Sequence, residues 1–230
     1  MIKIQPVSEV ALMVYLGEQI EISLTHKIVQ LTNYLEARYA GALVELIPSY
    51  CSLMVQYHPR RVDYETLVQG IRAWELLDEP SNVSGKELQL PVYYHPEVAP
   101  DLEPVAKRYS LSIEQVIEYH CLQQYTVCAI GFAPGFAFLA SVSPKIATPR
   151  HDEPRLVIPA GSVGIADQQT AVYPSRSPGG WQIIGNCPQR VFDPGSSPMS
   201  PFEVGDTVKF KPIDRAEFVA LGGEICPSWK

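Results

Sequence analysis

The sequence predicts an α+β protein in two parts, an N-terminal split α/β sandwich at residues 1–85 and a C-terminal β-barrel at residues 86–230. Three observations predict it. Hydrophobic residues make up 46% and charged residues 19% of 230 positions, the balance of a soluble globular chain long enough for two cores. Of 21 prolines, only Pro6, Pro48, Pro59 and Pro80 fall in the first ninety residues. Strand-like and helix-like segments alternate before residue 85, whereas short β-type runs punctuated by Gly and Pro dominate after residue 125.

In the first part, Ala11–Tyr15 reads as a buried strand. Ser23 or Thr25 is placed to cap a helix that puts Ile28, Leu31 and Leu35 on one face and ends near Gly41. Leu43–Ile47 and Leu53–Tyr57 read as strands around a Pro48-Ser49 turn. Asp63 caps a second helix striped by Tyr64, Leu67, Val68, Ile71 and Trp74, and Leu88–Tyr94 reads as the last strand of this series. Pro80–Lys86 has linker chemistry, which sets the domain boundary at 85/86.

The second part opens with two short helices, the first after Asp101 and the second behind a Ser112/Gln115 capping box. Strands follow at Thr126–Ile130, Arg155–Ile158, Ser162–Ala166, Ala171–Tyr173, Trp181–Ile184 and Thr207–Phe210. Many short strands with Gly/Pro turns point to a closed or nearly closed barrel.

A net charge of −7 with no Lys/Arg stripe argues against nucleic acid and anionic membrane as partners. No apolar run approaches bilayer length, and the N-terminus lacks a basic leader, so a cytoplasmic address is expected. Cys51, Cys121, Cys128, Cys187 and Cys226 are scattered and odd in number, which fits reduced thiols better than a disulfide framework. The five histidines lack metal-ligand spacing, and no metal site is expected. There is no phosphate loop, nucleophile elbow or H-E-x-x-H motif.

The chemistry therefore falls to three loops. Gly131–Leu139 sets Phe132, Phe136 and Phe138 around Pro134 and Gly135, which makes either a pocket wall or a corner loop that plugs the barrel. Thr148–Gly164 carries Arg150 and Arg155 between prolines, a possible two-armed fork for a carboxylate or phosphate, with Pro159, Gly161 and Ser162 beyond. The alternative there is surface arginines that pair with Asp152 and Glu153. Gln169-Thr170 and Tyr173, then Pro178-Gly179-Gly180-Trp181, add amide, hydroxyl and phenol donors beside a turn. His120 sits on the apolar face of its helix, where a hydrogen-bonded core histidine is the simpler reading.

The strings GFAPGFAFL (131–139), PAGSVGI (159–165) and SPGGWQIIG (177–185) resemble the signature of the KipI/PxpB family, also called allophanate hydrolase subunit 1. Leu90-Pro91-Val92, Pro100-Asp101-Leu102 and Ile117–His120 extend the resemblance. Asp167-Gln168-Gln169-Thr170-Ala171 stands where members more often read G-x-Q-T-G, and His95-Pro96-Glu97 replaces a Gly-rich stretch. The resemblance implies an N-terminal α/β domain followed by a cyclophilin-like β-barrel. It implies a subunit of an ATP-dependent 5-oxoprolinase that opens 5-oxoproline to L-glutamate, with KipA/PxpC-like and PxpA-like companions. ATP with Mg²⁺ is then expected at a site shared with a partner subunit. On that reading Arg150 and Arg155 hold a carboxylate or phosphate, Gln169 and Tyr173 orient the carbonyl, and the Gly131–Leu139 loop shapes the pocket. The family also includes a protein that inhibits a sensor histidine kinase, and carboxyltransferase-type subunits of urea chemistry.

Overall fold

The computed structural model describes residues 2–19, 21–77 and 85–225. By internal packing the residues group into two compact units, Met1–Gly85 and Lys86–Lys230. Most of the Pro80–Lys86 linker lies outside the described residues, as does Cys226.

The first unit contains β1 (Lys3–Ser8), β2 (Ala11–Tyr15), α1 (Ile22–Arg38), β3 (Leu43–Ser49), β4 (Ser52–Tyr57) and α2 (Tyr64–Glu75). Its antiparallel sheet has the order β1-β2-β4-β3. Ile28, Leu31 and Leu35 of α1 and Leu67 and Ile71 of α2 pack on Leu12, Val14, Leu53, Val55 and Tyr57. Period-2 burial along β4 against period-3.6 burial along the helices gives this sandwich its single core. Asp63 caps α2 as expected, accepting from the Thr66 amide at 2.7 Å.

Several details differ from expectation. The α1 cap is Glu21, which makes no side-chain cap bond, while Ser23 and Thr25 lie inside the helix. The β3–β4 turn is Tyr50-Cys51 rather than Pro48-Ser49, since Ser49 pairs directly with Ser52. β1 went unread because it is mostly exposed and carries Pro6, a residue tolerated on an edge strand. The strand read as Leu88–Tyr94 belongs to the second unit, where it pairs with a segment about 120 residues later in the chain.

That unit contains β5 (Glu87–Tyr93), α3 (Leu102–Arg108), α4 (Ile113–Cys121), β6 (Tyr125–Ile130), β7 (Ala137–Ala140), β8 (Arg155–Ile158) and β9 (Ser162–Ala166). It continues with β10 (Gln169–Val172), β11 (Ser177–Gly179), β12 (Gln182–Asn186), β13 (Thr207–Ile213) and α5 (Arg215–Ala220). The strand order β6-β13-β5-β12-β9-β10-β7 closes through a β6–β7 pairing into a seven-stranded, cyclophilin-like barrel. β13 and β5 run parallel, and the other barrel pairings are antiparallel. β8 and β11 form a separate two-stranded ribbon.

Alternate residues of the barrel strands face two different cores. Val163, Ile165, Val172, Leu139, Ile184, Val208 and Phe210 fill the interior together with Leu102 and Val105 of α3 and Val116 of α4. Ala166, Ala171, Tyr173 and Ile183 point outward into a second cluster with Phe136, Trp181 and Ile158 of the ribbon. Strands buried on both faces lose the simple polar–apolar alternation, which is why β9 reads as a run of small and apolar residues.

His120 enters the interior from α4, wholly buried, with its ring 4.5 Å from that of Phe210. The Thr170 hydroxyl donates to Gly164 O at 2.9 Å, so its oxygen accepts from His120 Nε2 at 3.0 Å. Nδ1 is then the acceptor for the Tyr94 hydroxyl at 2.7 Å. Both nitrogens are used by the neutral ring, and burial holds its pKa down at about 3.

The sign of the pH dependence follows. The unfolded chain takes a proton on this imidazole near pH 6.5, whereas the folded state refuses it until about pH 3. This contribution is complete above pH 6.5 and is lost as pH falls towards 3. We expect the melting temperature of the wild type to drop more steeply between pH 7 and pH 4 than that of His120→Asn. Parallel curves would show that the ring does not titrate across unfolding.

Candidate functional site

The site grows from one buried carboxylate. Asp101, 3% exposed, stands at the start of α3 but makes no side-chain cap bond there. Its Oδ2 accepts from Arg155 at 2.8 Å and from the Ile183 amide at 2.6 Å, and its Oδ1 accepts from Arg155 at 2.7 Å. The Asp101 amide in turn donates to Ile183 O at 3.0 Å. One side chain thus ties α3, β12 and the β8–β11 ribbon together. His151 Nε2 lies 3.2 Å from the same Oδ1, within ion-pair range but out of line for a hydrogen bond.

This overturns the expected role of Arg155. Its two-toothed face is occupied by Asp101, 54 residues earlier in the chain, and is closed to an outside anion. Arg150 is different. It is exposed, it stacks 5.8 Å over the Trp181 ring, and no carboxylate among the described residues pairs with it. The segment around it is pinned: Thr148 O accepts from Asp167, Pro149 O accepts from Gln182, and the His151 amide donates to Gly180 O. The cation is held by backbone on both sides while its head stays free.

Beneath Trp181 lies the aromatic cluster. Phe136 meets Tyr173 and Trp181 edge-on, at 5.2 Å and 5.6 Å between ring centres. The Gly131–Phe136 loop is closed by Gly131 N donating to Phe136 O and Phe136 N donating to Ala133 O, each at 3.0 Å. It leaves Phe132 67% exposed at a left-handed φ of +72°, edge-on to Phe136. Tyr173 is 1% exposed, and burial pushes its hydroxyl pKa up to about 12, so it is a neutral donor. Gly179 packs against that hydroxyl, where a Cβ would approach to 2.5 Å.

The structure therefore gathers Arg150, Gly180, Trp181, Tyr173, Gly179, Phe136 and Phe132, with Pro134 and Pro178 exposed at the rim. Pro159 and Gly161 border a separate cavity that Tyr173 also touches. Thr170 is committed to His120 inside the barrel, and Ser162 is fully buried on β9. Gln169 opens β10 and Tyr173 follows its last residue, about 13 Å apart at the rise of a strand, too far to orient one carbonyl together. Asp167, where the resemblance leads one to expect Gly, takes φ +52°, a conformation that Asp tolerates.

Sequence reasoning placed Asp101 only as a helix start and part of the family resemblance, weighed His151 only as a metal ligand, and did not single out Asn186. Among the described residues no three His, Cys, Asp or Glu side chains converge as a metal cluster, and no helix is long and apolar enough to cross a membrane.

A barrel with this outward aromatic cluster and its three Gly/Pro loop strings defines a carboxyltransferase-type domain, and the family profile "Carboxyltransferase domain, subdomain C and D" matches residues 2–202. The chain belongs to this family, within its KipI/PxpB group. It is 39% identical to the B-type subunit of 5-oxoprolinase from Bacillus subtilis (strain 168) over 235 residues, 96% of this chain and 97% of that one. It is 43% identical to the Haemophilus influenzae protein of the same name over 150 residues, 65% of this chain and 70% of that one. The crystal structure of TTHA0988 superposes with a TM-score of 0.79 at 31% identity, covering 92% of this chain but only 40% of that longer one. Urea carboxylase of Kluyveromyces lactis shares the fold at a TM-score of 0.74 and 18% identity, covering 95% of this chain and 22% of that one.

The two arginines should separate cleanly in stability. Arg155→Lys loses the fork on a buried carboxylate and should cost about 1.5–3 kcal/mol in urea unfolding. Arg150→Lys should leave the urea midpoint unchanged. Equal losses would show that Arg150 is structural too.

Proposed function

We propose that the chain is the B-type component of an ATP-dependent 5-oxoprolinase that opens 5-oxoproline to L-glutamate. The observation that carries this reading is the likeness to the Bacillus subtilis protein along nearly the full length of both chains. A lactam carbonyl is a poor electrophile until its oxygen is made a leaving group, which phosphorylation by ATP accomplishes. The protein's part is to place cations and neutral donors where charge develops.

In this proposal Arg150, free-headed and supported on Trp181, holds a phosphate or carboxylate, and the Phe132–Phe136 loop excludes water from its flank. The chain has no phosphate loop of its own. Mg²⁺-nucleotide is accordingly bound at a site shared with a partner subunit, and the companions are KipA/PxpC-like and PxpA-like. Phe132 and Leu156, 67% and 88% exposed, provide apolar surface for such assembly. The thiols of Cys51, Cys121 and Cys187 suit a reducing cytoplasm.

The same apolar residues would also serve a second reading, docking on a histidine kinase without chemistry. The two readings part on Arg150. Alone, the purified chain should release no glutamate from 5-oxoproline and ATP, and the reconstituted complex should. In that complex Arg150→Lys should lower kcat/KM about ten- to a hundredfold, because an ammonium cannot reproduce planar two-toothed bonding. Activity within twofold of wild type would remove the anion site and favour the docking reading.

A further inference from the structure

Apart from Arg150, the barrel carries a cavity where β9 begins and β10 and β12 finish. Its volume is ≈ 400 Å³, within the roughly 300–1,000 Å³ of small-molecule sites. Its walls are chemically uneven. Pro159, Pro174 and Pro188 contribute apolar surface without backbone N–H groups. Cys187 is buried, and desolvation pushes its thiol up to about 12, so the wall offers no thiolate.

Asn186 is the wall's buried polar side chain, 7% exposed. Its Nδ2 donates to Ala160 O at 3.2 Å, which leaves its second N–H and its carbonyl oxygen. No donor among the described residues meets that oxygen. The carboxamide oxygen therefore stands at the cavity wall as an acceptor, beside a second N–H donor, and a guest can pair with both. The arrangement also depends on Gly161 at φ +79°, since a Cβ there would lie 2.7 Å from Asn186 Oδ1 and 2.4 Å from Cys187 O.

Charge comes from the rim. Arg190 borders the cavity with its side chain 74% exposed, and its NH1 is 3.7 Å from Asp193, too long for a hydrogen bond. Glu224 borders it as well, which disfavours polyanions such as nucleotide phosphates.

We infer that this cavity receives a small lactam acid, with Asn186 pairing to the lactam edge and Arg190 to the carboxylate. The assignment rests on the 5-oxoprolinase reading for the identity of the ligand, 5-oxoproline. A ring amide is locked cis, so its N–H and C=O lie along one edge and meet a single carboxamide through two parallel bonds. The prolines face the ring. L-Glutamate, the opened product, has no such edge and is released. This assignment takes the substrate carboxylate to Arg190 and leaves Arg150 for phosphate.

The test begins with L-5-oxoproline titrated into the isotope-labelled full chain, alone and with its companion subunits. The Asn186 side-chain amide and the Gly161 backbone amide should shift saturably, and L-proline and L-glutamate should not compete at equal concentration. Asn186→Asp keeps the shape but removes the donor and should weaken binding at least tenfold. Arg190→Gln, at an exposed position where folding is not at stake, should weaken it several-fold with an unchanged melting temperature. In the reconstituted complex both should raise KM for 5-oxoproline more than they lower kcat. If Asn186→Asp does not fold, Arg190→Gln alone decides. Shifts gathered at Arg150 and Trp181, no saturable binding, or an unmoved KM would overturn the assignment, and turnover by the wild-type complex would then leave the oxoprolinase reading standing. Binding in the cavity by a complex that makes no glutamate would support the site and remove that reading.

Discussion

The carboxylate of Asp101 is the constraint on which the barrel's outer face depends. A buried charge is tolerated only when it is paired and its lone pairs are filled. Here an arginine fork and a backbone amide fill them, and each comes from a different segment. Because the partners must converge on two oxygen atoms, α3, β12 and the β8–β11 ribbon have little freedom to slide. The ribbon covers the aromatic cluster, and the chain between Arg150 and Arg155 is strung between Trp181 and the carboxylate. Arg155 is held by the carboxylate, and Arg150 stays exposed over Trp181.

The barrel itself is organised by having two buried faces on the same strands. Inward, Thr170 joins His120 and Tyr94 in a neutral hydrogen-bond chain that fixes α4 across the interior. Outward, Ala171 and Tyr173 on the neighbouring positions build the aromatic cluster. Gly164 makes room for this double packing, with Trp181 Cβ 3.1 Å from where its own Cβ would be. A family signature of glycine, proline and aromatic residues is thus a packing requirement before it is a catalytic one, and several residues in it never meet solvent.

Much of this was legible in the sequence, and what was missed was missed for identifiable reasons. Local chemistry spoke clearly: Asp63 caps α2, Ser112 and Gln115 form the capping box of α4, and β8 and β9 begin and end where their Gly/Pro punctuation placed them. Long-range pairing did not. Nothing local tells that Glu87–Tyr93 lies parallel to Thr207–Ile213, or that Arg155 prefers Asp101 to the adjacent Asp152 and Glu153. Gln169 and Tyr173 looked like neighbours in function because they are neighbours in sequence, but an extended strand holds them apart. Asn186 follows an apolar run and carries no motif. Its significance comes from a cavity that only the closed barrel creates.

Backbone hydrogen exchange tests the organising role of Asp101 most directly, comparing wild type with Asp101→Asn, which keeps the shape but removes the charge. The Ile183 amide and the β8–β11 ribbon should lose protection while the interior residues of β9, β10 and β13 keep theirs. Unchanged exchange at Ile183 and the ribbon, or a uniform loss across the whole barrel, would contradict the view that this one carboxylate holds the outer face in place.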